Sequence, residues 1–257
     1  MIKIVFLDFD GTTYSHQQKK IPDSTIDAIN KLHQNNILVF LCTGRTYCEI
    51  NTFDISKLYY DGMILTNGQL IVDKNGDIIY EEPVTGLLKE KLLEIYNAKK
   101  LSIFLTCKDD IFLNIISDVV ITALHDVSSS VPEIKPYNNE SFYMACAFYD
   151  NDEQLHEFEK LQDIAQITNW HQNAIDIVPK GVSKSSGIDK LLKLYNLDIS
   201  NTLAVGDGDN DLDMLKHCHI GIAMGNSIKE IKDITDYVTD DIDDDGLYNA
   251  LKHYKLI

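Results

Sequence analysis

Short hydrophobic runs alternate with helical patterns along much of the chain. The apolar, β-rich run Ile4–Leu7 ends in charged residues, which is typical of a strand buried on both faces of a parallel sheet. A helix is predicted to begin at Asp23 and to lead into a second apolar run at 37–41. A third run covers 62–66, and the pair Asn75-Gly76 then favours a tight hairpin turn. The pattern predicts βαβ units and an α/β fold.

This rhythm is interrupted between about residues 81 and 180. Helical patterns at Leu87–Tyr96 and Leu155–Ile164 mix with strand-like runs in no repeating order; these runs are Ser102–Thr106, Ile111–Asn114 and Phe142–Phe148. The βα pattern resumes after Gly181, with a helix at Ser185–Tyr195, a strand at 202–205, a helix at 211–217 and a strand at 220–223. We therefore predict a Rossmann-like, doubly wound, mostly parallel core formed by 1–80 and 181–257, with an inserted α+β domain at 81–180.

Composition narrows the range of partners. The 257 residues carry 40 acidic and 23 basic side chains, a formal charge of -17, which repels nucleic acid and anionic lipid. The five cysteines are scattered without a CxxC pair, as expected for reduced cytosolic thiols. No apolar run approaches the roughly 20 residues of a membrane span. We expect a cytoplasmic protein that binds neither nucleic acid nor membranes.

Polar clusters follow three of the predicted strands. These clusters are Asp8-Phe9-Asp10-Gly11-Thr12, Thr43-Gly44-Arg45 and Gly206-Asp207-Gly208-Asp209-Asn210-Asp211. Ligands of doubly wound sheets bind at the carboxyl ends of the strands, so the clusters are expected to converge. Carboxylates brought together in this way repel one another unless a cation neutralises them. Oxygen ligands without a His or Cys cluster favour Mg²⁺ over Ca²⁺ and Zn²⁺.

Such a site can act on phosphate. A carboxylate beside Mg²⁺ can attack phosphorus and form an aspartyl-phosphate, while a second carboxylate two residues along serves as general acid and base. The remaining phosphoryl oxygens need donors, for which the hydroxyl of Thr43, the backbone N–H groups of Phe9 and Gly44, and the ammonium of Lys184 are the candidates. Lys184 would also supply the local positive charge that this acidic protein needs in order to bind an anion.

These clusters, in this order and with Lys184 between the second and third, resemble the four motifs of the haloacid dehalogenase superfamily. The inserted domain resembles the type IIB cap of the Cof-like phosphatases, as do Thr66-Asn67-Gly68, Pro179-Lys180-Gly181-Val182, Ala223-Met224-Gly225-Asn226-Ser227 and Asp236-Tyr237-Val238-Thr239. The resemblance covers nearly the whole chain. In Ser183-Lys184-Ser185 the chain departs from relatives, which usually have Asn or Asp before the lysine and Gly after it.

The resemblance implies a role for each motif residue. Asp8 would be the nucleophile and Asp10 the general acid and base. Mg²⁺ would be held by Asp8, the backbone carbonyl of Asp10 and Asp207. Asp211 would support the metal shell, and Asn210 would contact phosphate or orient Lys184.

The leading hypothesis is a Mg²⁺-dependent phosphatase that hydrolyses a small phosphomonoester, with a mobile cap that sets the substrate. A sugar phosphate, pyridoxal phosphate and flavin mononucleotide all remain open as substrates, and so does the oligomeric state. A hexose phosphomutase and a non-catalytic binding protein for a phosphorylated metabolite are the alternatives. Arg45 either reaches substrate or pairs with an acid, and His171 is expected to be structural or on the surface.

Overall fold

The computed structural model describes residues 1–257, which form thirteen strands and nine α-helices. The strands are β1 (Ile4–Asp8), β2 (Leu38–Cys42), β3 (Gly62–Leu65), β4 (Leu70–Asp73), β5 (Ile78–Glu81), β6 (Ser102–Thr106), β7 (Ile111–Leu113), β8 (Met144–Phe148), β9 (Ala165–His171), β10 (Ala174–Pro179), β11 (Thr202–Gly206), β12 (Ile220–Ala223) and β13 (Tyr237–Val238). The helices are α1 (Asp23–Gln34), α2 (Tyr47–Ile50), α3 (Gly86–Ala98), α4 (Asp118–Asp126), α5 (Asp152–Glu159), α6 (Lys184–Tyr195), α7 (Leu212–His217), α8 (Lys229–Lys232) and α9 (Gly246–His253).

Eight strands form a twisted sheet in the order β13-β12-β11-β1-β2-β3-β4-β5. Neighbours from β13 to β3 are parallel, and the hairpin strands β4 and β5 add antiparallel partners at one edge. Alternate side chains of β1 enter different cores: Val5 and Leu7 face α1 and α9, whereas Ile4 and Phe6 face α6, α7 and α8. Because both faces are covered, β1 is apolar throughout, as the sequence indicated.

A second sheet has five strands in the order β7-β6-β8-β10-β9, and all its neighbours are antiparallel. Helices α3 and α5 pack on one face against Ile103, Ile175 and Ile177. Helix α4 packs on the other face against Phe104 and Phe148. A doubly wound, mainly parallel sheet with an inserted α+β unit is the predicted fold class, which is confirmed.

Several elements agree closely with their sequence patterns. Helix α1 begins at Asp23 and buries Thr25, Ala28, Ile29 and Leu32, which lie on one helical face. The predicted hairpin turn is present between β4 and β5. Gly76 adopts a φ of +83° there, and the Asp73 carboxylate accepts the N–H groups of Asn75 and Asp77.

The inserted unit differs more from the prediction. The helix expected at Leu155–Ile164 is α5, which starts earlier because the side chain of Asn151 accepts the N–H of Gln154 at 3.0 Å and caps it. Helix α4 and the pair β9 and β10 had no counterpart in the sequence prediction. None of the helices combines the length and the apolarity required to cross a bilayer.

Candidate active site

The three predicted clusters meet at one edge of the larger sheet. Strands β11, β1 and β2 are adjacent and parallel, so their carboxyl ends lie side by side. Asp8 is the last residue of β1, Thr43 directly follows β2, and Asp207 directly follows β11. The order of the strands therefore brings together residues that are about 200 positions apart in the chain.

The loop after β1 is shaped by close contact with Asp207. Gly11 has a φ of +78°, and a Cβ atom at this position would lie 2.2 Å from the Asp207 carboxylate, so a side chain is not tolerated. The next residue, Thr12, donates its hydroxyl to Asp207 at 2.6 Å. Farther along, the hydroxyl of Thr13 donates to the backbone carbonyl of Asp8 at 2.6 Å. These contacts fix Asp8 and Asp207 relative to each other.

Lys184 lies fully buried between two carboxylates. It is the first residue of α6, whose start is capped by reciprocal side-chain contacts of Ser183 and Ser186. Its ammonium donates to Asp8 at 2.5 Å and to Asp211 at 2.6 Å. The second carboxylate oxygen of Asp211 accepts the backbone N–H groups of Asp207 and Gly208. Serine in place of the usual flanking residues thus leaves the lysine at a regular helix start.

The cluster holds more negative than positive charge. Burial raises the pKa of Asp8 well above its ordinary value, and the charge of Asp211 raises it further despite the lowering effect of Lys184. Burial and Asp211 also raise the pKa of Asp207 to about 7. Burial alone would lower the pKa of Lys184, but Asp211 and Asp8 outweigh it and keep the ammonium charged. One ammonium therefore faces three carboxylates.

This charge balance fits a hard divalent cation. One oxygen from each of Asp8, Asp207 and Asp211 lies within 4.8 Å of the others. Carboxylate oxygens are the donors that such cations prefer, and a cation here would offset the burial and the mutual repulsion that raise the two pKa values. The side chain of Asp10 does not join this group, and a contribution from its backbone carbonyl stays a prediction.

The side chain of Asp10 is held by two partners. Arg45 donates from Nε and Nη2 to its two oxygens at 2.7 and 2.8 Å, and His16 Nε2 lies 2.9 Å from Oδ1. Burial alone would raise the pKa of Asp10, but the charge of Arg45 and the contact with His16 lower it well below its usual range. Two roles were left open for Arg45, contact with substrate and pairing with an acid. In this conformation Arg45 pairs with the acid Asp10. The sequence analysis did not identify His16, because no local pattern indicates its role. It contacts Asp10 only because the 11–16 loop turns back on itself.

The predicted phosphate donors do not all line the adjoining cavity: Thr43 is on its wall, whereas Phe9 and Lys184 are not. Arg45 donates its backbone N–H to the Thr43 hydroxyl at 3.1 Å. Phe9 is buried against Tyr14 and Phe53, so its side chain cannot contact a ligand, and its backbone N–H stays a predicted donor. Gly44 and Asn210 both lie on the wall of the adjoining cavity. Asn210 makes no hydrogen bond to Lys184, so the structure gives no support to the idea that it orients the lysine.

The cavity lies between the two sheets and has a volume of about 670 Å³. Asp8 and Asp10 lie on its wall, and the five-stranded sheet supplies much of the remainder, with Leu124 from α4. Two acids on this wall were not predicted, Glu49 and Asp176. A buried Asp between Ile175 and Ile177, which face the opposite side of β10, was the available signal for Asp176. His171, expected to be structural or on the surface, also lines the cavity.

A family model described as haloacid dehalogenase-like hydrolase matches residues 5–251. The chain belongs to this family. YkrA of Bacillus subtilis (strain 168), which bears a provisional phosphatase name, is 30% identical over 99% of this chain and 98% of its own length. These similarities confirm the superfamily that the four motifs predicted.

Solved structures extend the similarity to both sheets. BT1666 from Bacteroides thetaiotaomicron, a HAD-superfamily phosphatase, has a TM-score of 0.89 and 31% identity, covering 100% of this chain and 96% of its own. BT4131, a HAD subclass IIB sugar phosphatase, has a TM-score of 0.87 and 28% identity, covering 99% and 100%. The predicted resemblance to the type IIB subclass is confirmed.

Proposed function

We propose that this protein is a Mg²⁺-dependent phosphatase that hydrolyses small phosphomonoesters through an aspartyl-phosphate formed on Asp8. The observation that carries the proposal is the position of Asp8 at the end of the cavity, with its carboxylate beside Lys184 and the acids Asp207 and Asp211. The names of the phosphatases to which the chain is similar support the same reaction class.

In the first step, a carboxylate oxygen of Asp8 bonds to phosphorus while the bond between phosphorus and the ester oxygen breaks. Asp10, which separates from Arg45 or His16 and takes up a proton when substrate binds, gives this proton to the departing alcohol. In the second step, water loses a proton to Asp10 and attacks the same phosphorus, which releases inorganic phosphate and restores Asp8. Mg²⁺ held by Asp8, Asp207 and the carbonyl of Asp10, with Asp211 in support, would neutralise the negative charge of the phosphoryl group.

The other residues bind and position the phosphoryl group in this proposal. Thr43, the N–H groups of Phe9 and Gly44, and Lys184 would donate to its oxygens, and Asn210 would contact it from the loop after β11. Both oxygens of Asp10 are occupied by Arg45 and His16. The leaving-group oxygen therefore has to take the place of one of these partners.

We also propose that residues 81–180 act as a cap over a core formed by 1–80 and 181–257. The five-stranded sheet is built from 102–179 alone, and it walls the cavity opposite Asp8. A cap in this place excludes water from the reacting atoms and contacts the organic part of the substrate. The cytoplasmic location and the absence of nucleic-acid and membrane partners stay predictions.

The test is phosphate release from a panel of phosphomonoesters, with Mg²⁺ and with EDTA. Metal-dependent release from one or a few compounds is expected. Isomerised sugar phosphate in place of free phosphate would identify a phosphomutase. Binding without any turnover by the folded, metal-supplied protein would identify a metabolite-binding protein.

A further inference from the structure

The wall of the cavity has no free cationic side chain. Arg45 is the only Lys or Arg on its wall, and four protein contacts already occupy its guanidinium. Besides the two bonds to Asp10, Nη1 donates to the hydroxyl of Ser129 at 2.6 Å and Nη2 donates to the carbonyl of Val127 at 2.8 Å. The guanidinium also lies over the ring of Phe53. The guanidinium of Arg45 therefore links Asp10 to the segment after α4.

The one imidazole on this wall, that of His171, also contacts protein groups through both ring nitrogens. His171 Nδ1 accepts the backbone N–H of Asn173 at 3.2 Å, and Nε2 lies 3.2 Å from a carboxylate oxygen of Asp126. With Nδ1 acting as an acceptor, the single ring proton is on Nε2 and points to Asp126. Both ring nitrogens of His171 are therefore engaged within the protein and not free for a ligand.

Two buried acids face the same space with few donors of their own. Asp176 accepts one N–H bond, from Asn67 at 2.8 Å, and its other neighbour is the thiol of Cys146. Glu49 accepts one N–H bond, from the backbone of Thr46 at 2.9 Å. Burial raises the pKa of Asp176 to about 7 and also raises that of Glu49, since these contacts do not replace the lost water. Each carboxyl group lacks donors that a ligand could supply.

We propose that this cavity selects phosphomonoesters whose organic part is uncharged or cationic and presents hydroxyl or amino donors. A phosphomonoester with a second anionic group is rejected. The inference rests on the proposed function and narrows its substrate class. Asp176 lies beside the loop of phosphate donors, with a carboxylate oxygen 3.2 Å from the position that a Cβ atom of Gly44 would occupy, and Glu49 is on the same cavity wall. A second anion in the cavity would therefore meet these two acids and no free cation. Amino alcohol, amino sugar and simple sugar phosphates match this acidic lining, whereas bisphosphates and phosphorylated acids do not.

The test compares substrates that differ in charge but little in leaving-group reactivity. Phenyl phosphate is measured beside derivatives with a para aminomethyl or a para carboxymethyl group, using the full chain with Mg²⁺ at pH 8, above the raised pKa of Asp176, so that this acid is ionised. Glucose 6-phosphate and 6-phosphogluconate form a second matched pair. The carboxylated member of each set is expected to have a kcat/KM about tenfold lower than the uncharged one. The loss is expected mainly in KM, because the substrate carboxylate is repelled by Glu49 and Asp176 on the cavity wall. The aminomethyl ester is expected to equal or exceed phenyl phosphate.

Isosteric variants connect the selectivity to the two acids. Asp176→Asn and Glu49→Gln, singly and together, should reduce the preference for the uncharged over the carboxylated ester. The matched controls Asp163→Asn and Glu90→Gln change exposed acids that lie outside the cavity wall and should leave the ratio unchanged. The ratio is compared rather than the rate, so a loss of overall activity in one variant does not obscure the result.

Two outcomes would overturn the inference. A carboxylated ester hydrolysed as well as its uncharged partner would contradict it while leaving the proposed function intact. An unaltered preference in the folded double variant would do the same. Release of phosphate from none of the five compounds would contradict the proposed function itself, and the inference would fall with it.

Discussion

Asp176 of β10 accepts a hydrogen bond from Asn67 at 2.8 Å, and this bond joins the smaller sheet to the turn that follows β3. Both side chains are buried. The turn is unusual because Thr66 and Asn67 have φ values of 48° and 54°, in the left-handed region that β-branched residues rarely adopt. Backbone N–H bonds from Thr66 to Arg45 and from Asn67 to Thr43 hold it in place. A residue of the smaller sheet is thus linked to the loop that carries Thr43.

The first prediction concerns the nucleophile. Asp8→Asn removes the attacking carboxylate oxygen, so phosphate release should fall by at least about a thousandfold and no acid-stable phosphoenzyme should form. Rapid quenching with labelled substrate measures both quantities. Asp77→Asn, an exposed acid of the β4–β5 turn, is the matched control and should retain full activity. Full activity in Asp8→Asn would refute the mechanism.

The second prediction separates the two steps assigned to Asp10. Asp10→Asn removes the general acid and base, which contributes about 10²–10⁴-fold in rate. With p-nitrophenyl phosphate the leaving group needs little protonation, so the first step should be spared and the phosphoenzyme should accumulate. With an alkyl phosphate both steps should slow down. Equal losses for the two substrates, without accumulation, would argue against the assignment.

How much of this site the sequence could predict depends on whether the contacts follow from strand order. Asp8, Thr43 and Asp207 each follow an apolar run, and the carboxyl ends of parallel strands share an edge, so their convergence could be predicted. Asp176 and Asn67 are 109 positions apart and belong to different sheets. Their contact depends on how the two sheets face each other, which no local pattern records.

The inserted unit was harder to predict for a related reason. Two of its four strand pairings, β6 with β8 and β8 with β10, join strands that are not consecutive in the sequence. Strand β9 has a mostly half-exposed pattern instead of an apolar run, so it gave no clear signal. The start of α5 was displaced because the cap of Asn151 outweighed the apolar spacing farther along.

The third prediction is a stability effect of Lys184. Lys184→Met leaves the buried carboxylates of Asp8 and Asp211 without their cation, and loss of one partner of a buried ion pair costs about 3–5 kcal/mol. Urea unfolding in EDTA measures the change. Lys190→Met is the matched control on the same helix, since Lys190 pairs with the exposed Glu82 and a surface pair contributes about 1 kcal/mol or less. Similar losses in the two variants would contradict the structural role of Lys184.

The fourth prediction tests the cation site without an activity assay. Mg²⁺ should raise the melting temperature relative to EDTA, because binding to the folded state adds about 2.7 kcal/mol of stability at a hundred times the dissociation constant. Asp207→Asn removes one of the three carboxylates and should abolish most of this increment. Asp77→Asn again serves as the control. If Asp207→Asn and the wild type respond alike to Mg²⁺, the ion binds elsewhere.

The fifth prediction uses the raised pKa of Asp176. Burial raises this pKa to about 7, so the folded protein holds the proton more tightly than the unfolded chain does. The stability contributed by the protonated carboxyl group is fully present below the pKa of Asp176 in the unfolded chain, near 3.8. It is lost as the pH rises through the pKa in the folded protein, about 7. Between pH 5 and pH 8 this one group should therefore lower the free energy of unfolding by about 2 kcal/mol.

Asp176→Asn removes the titration, so the variant should gain stability relative to the wild type as the pH rises. Urea unfolding of both proteins at pH 5 and pH 8 measures the difference, in which the other titrating groups cancel. Asp163→Asn, an exposed acid, should follow the wild type at both pH values. A constant difference between Asp176→Asn and the wild type would show that Asp176 is ionised throughout this range and that a positive charge or further donors already stabilise its carboxylate.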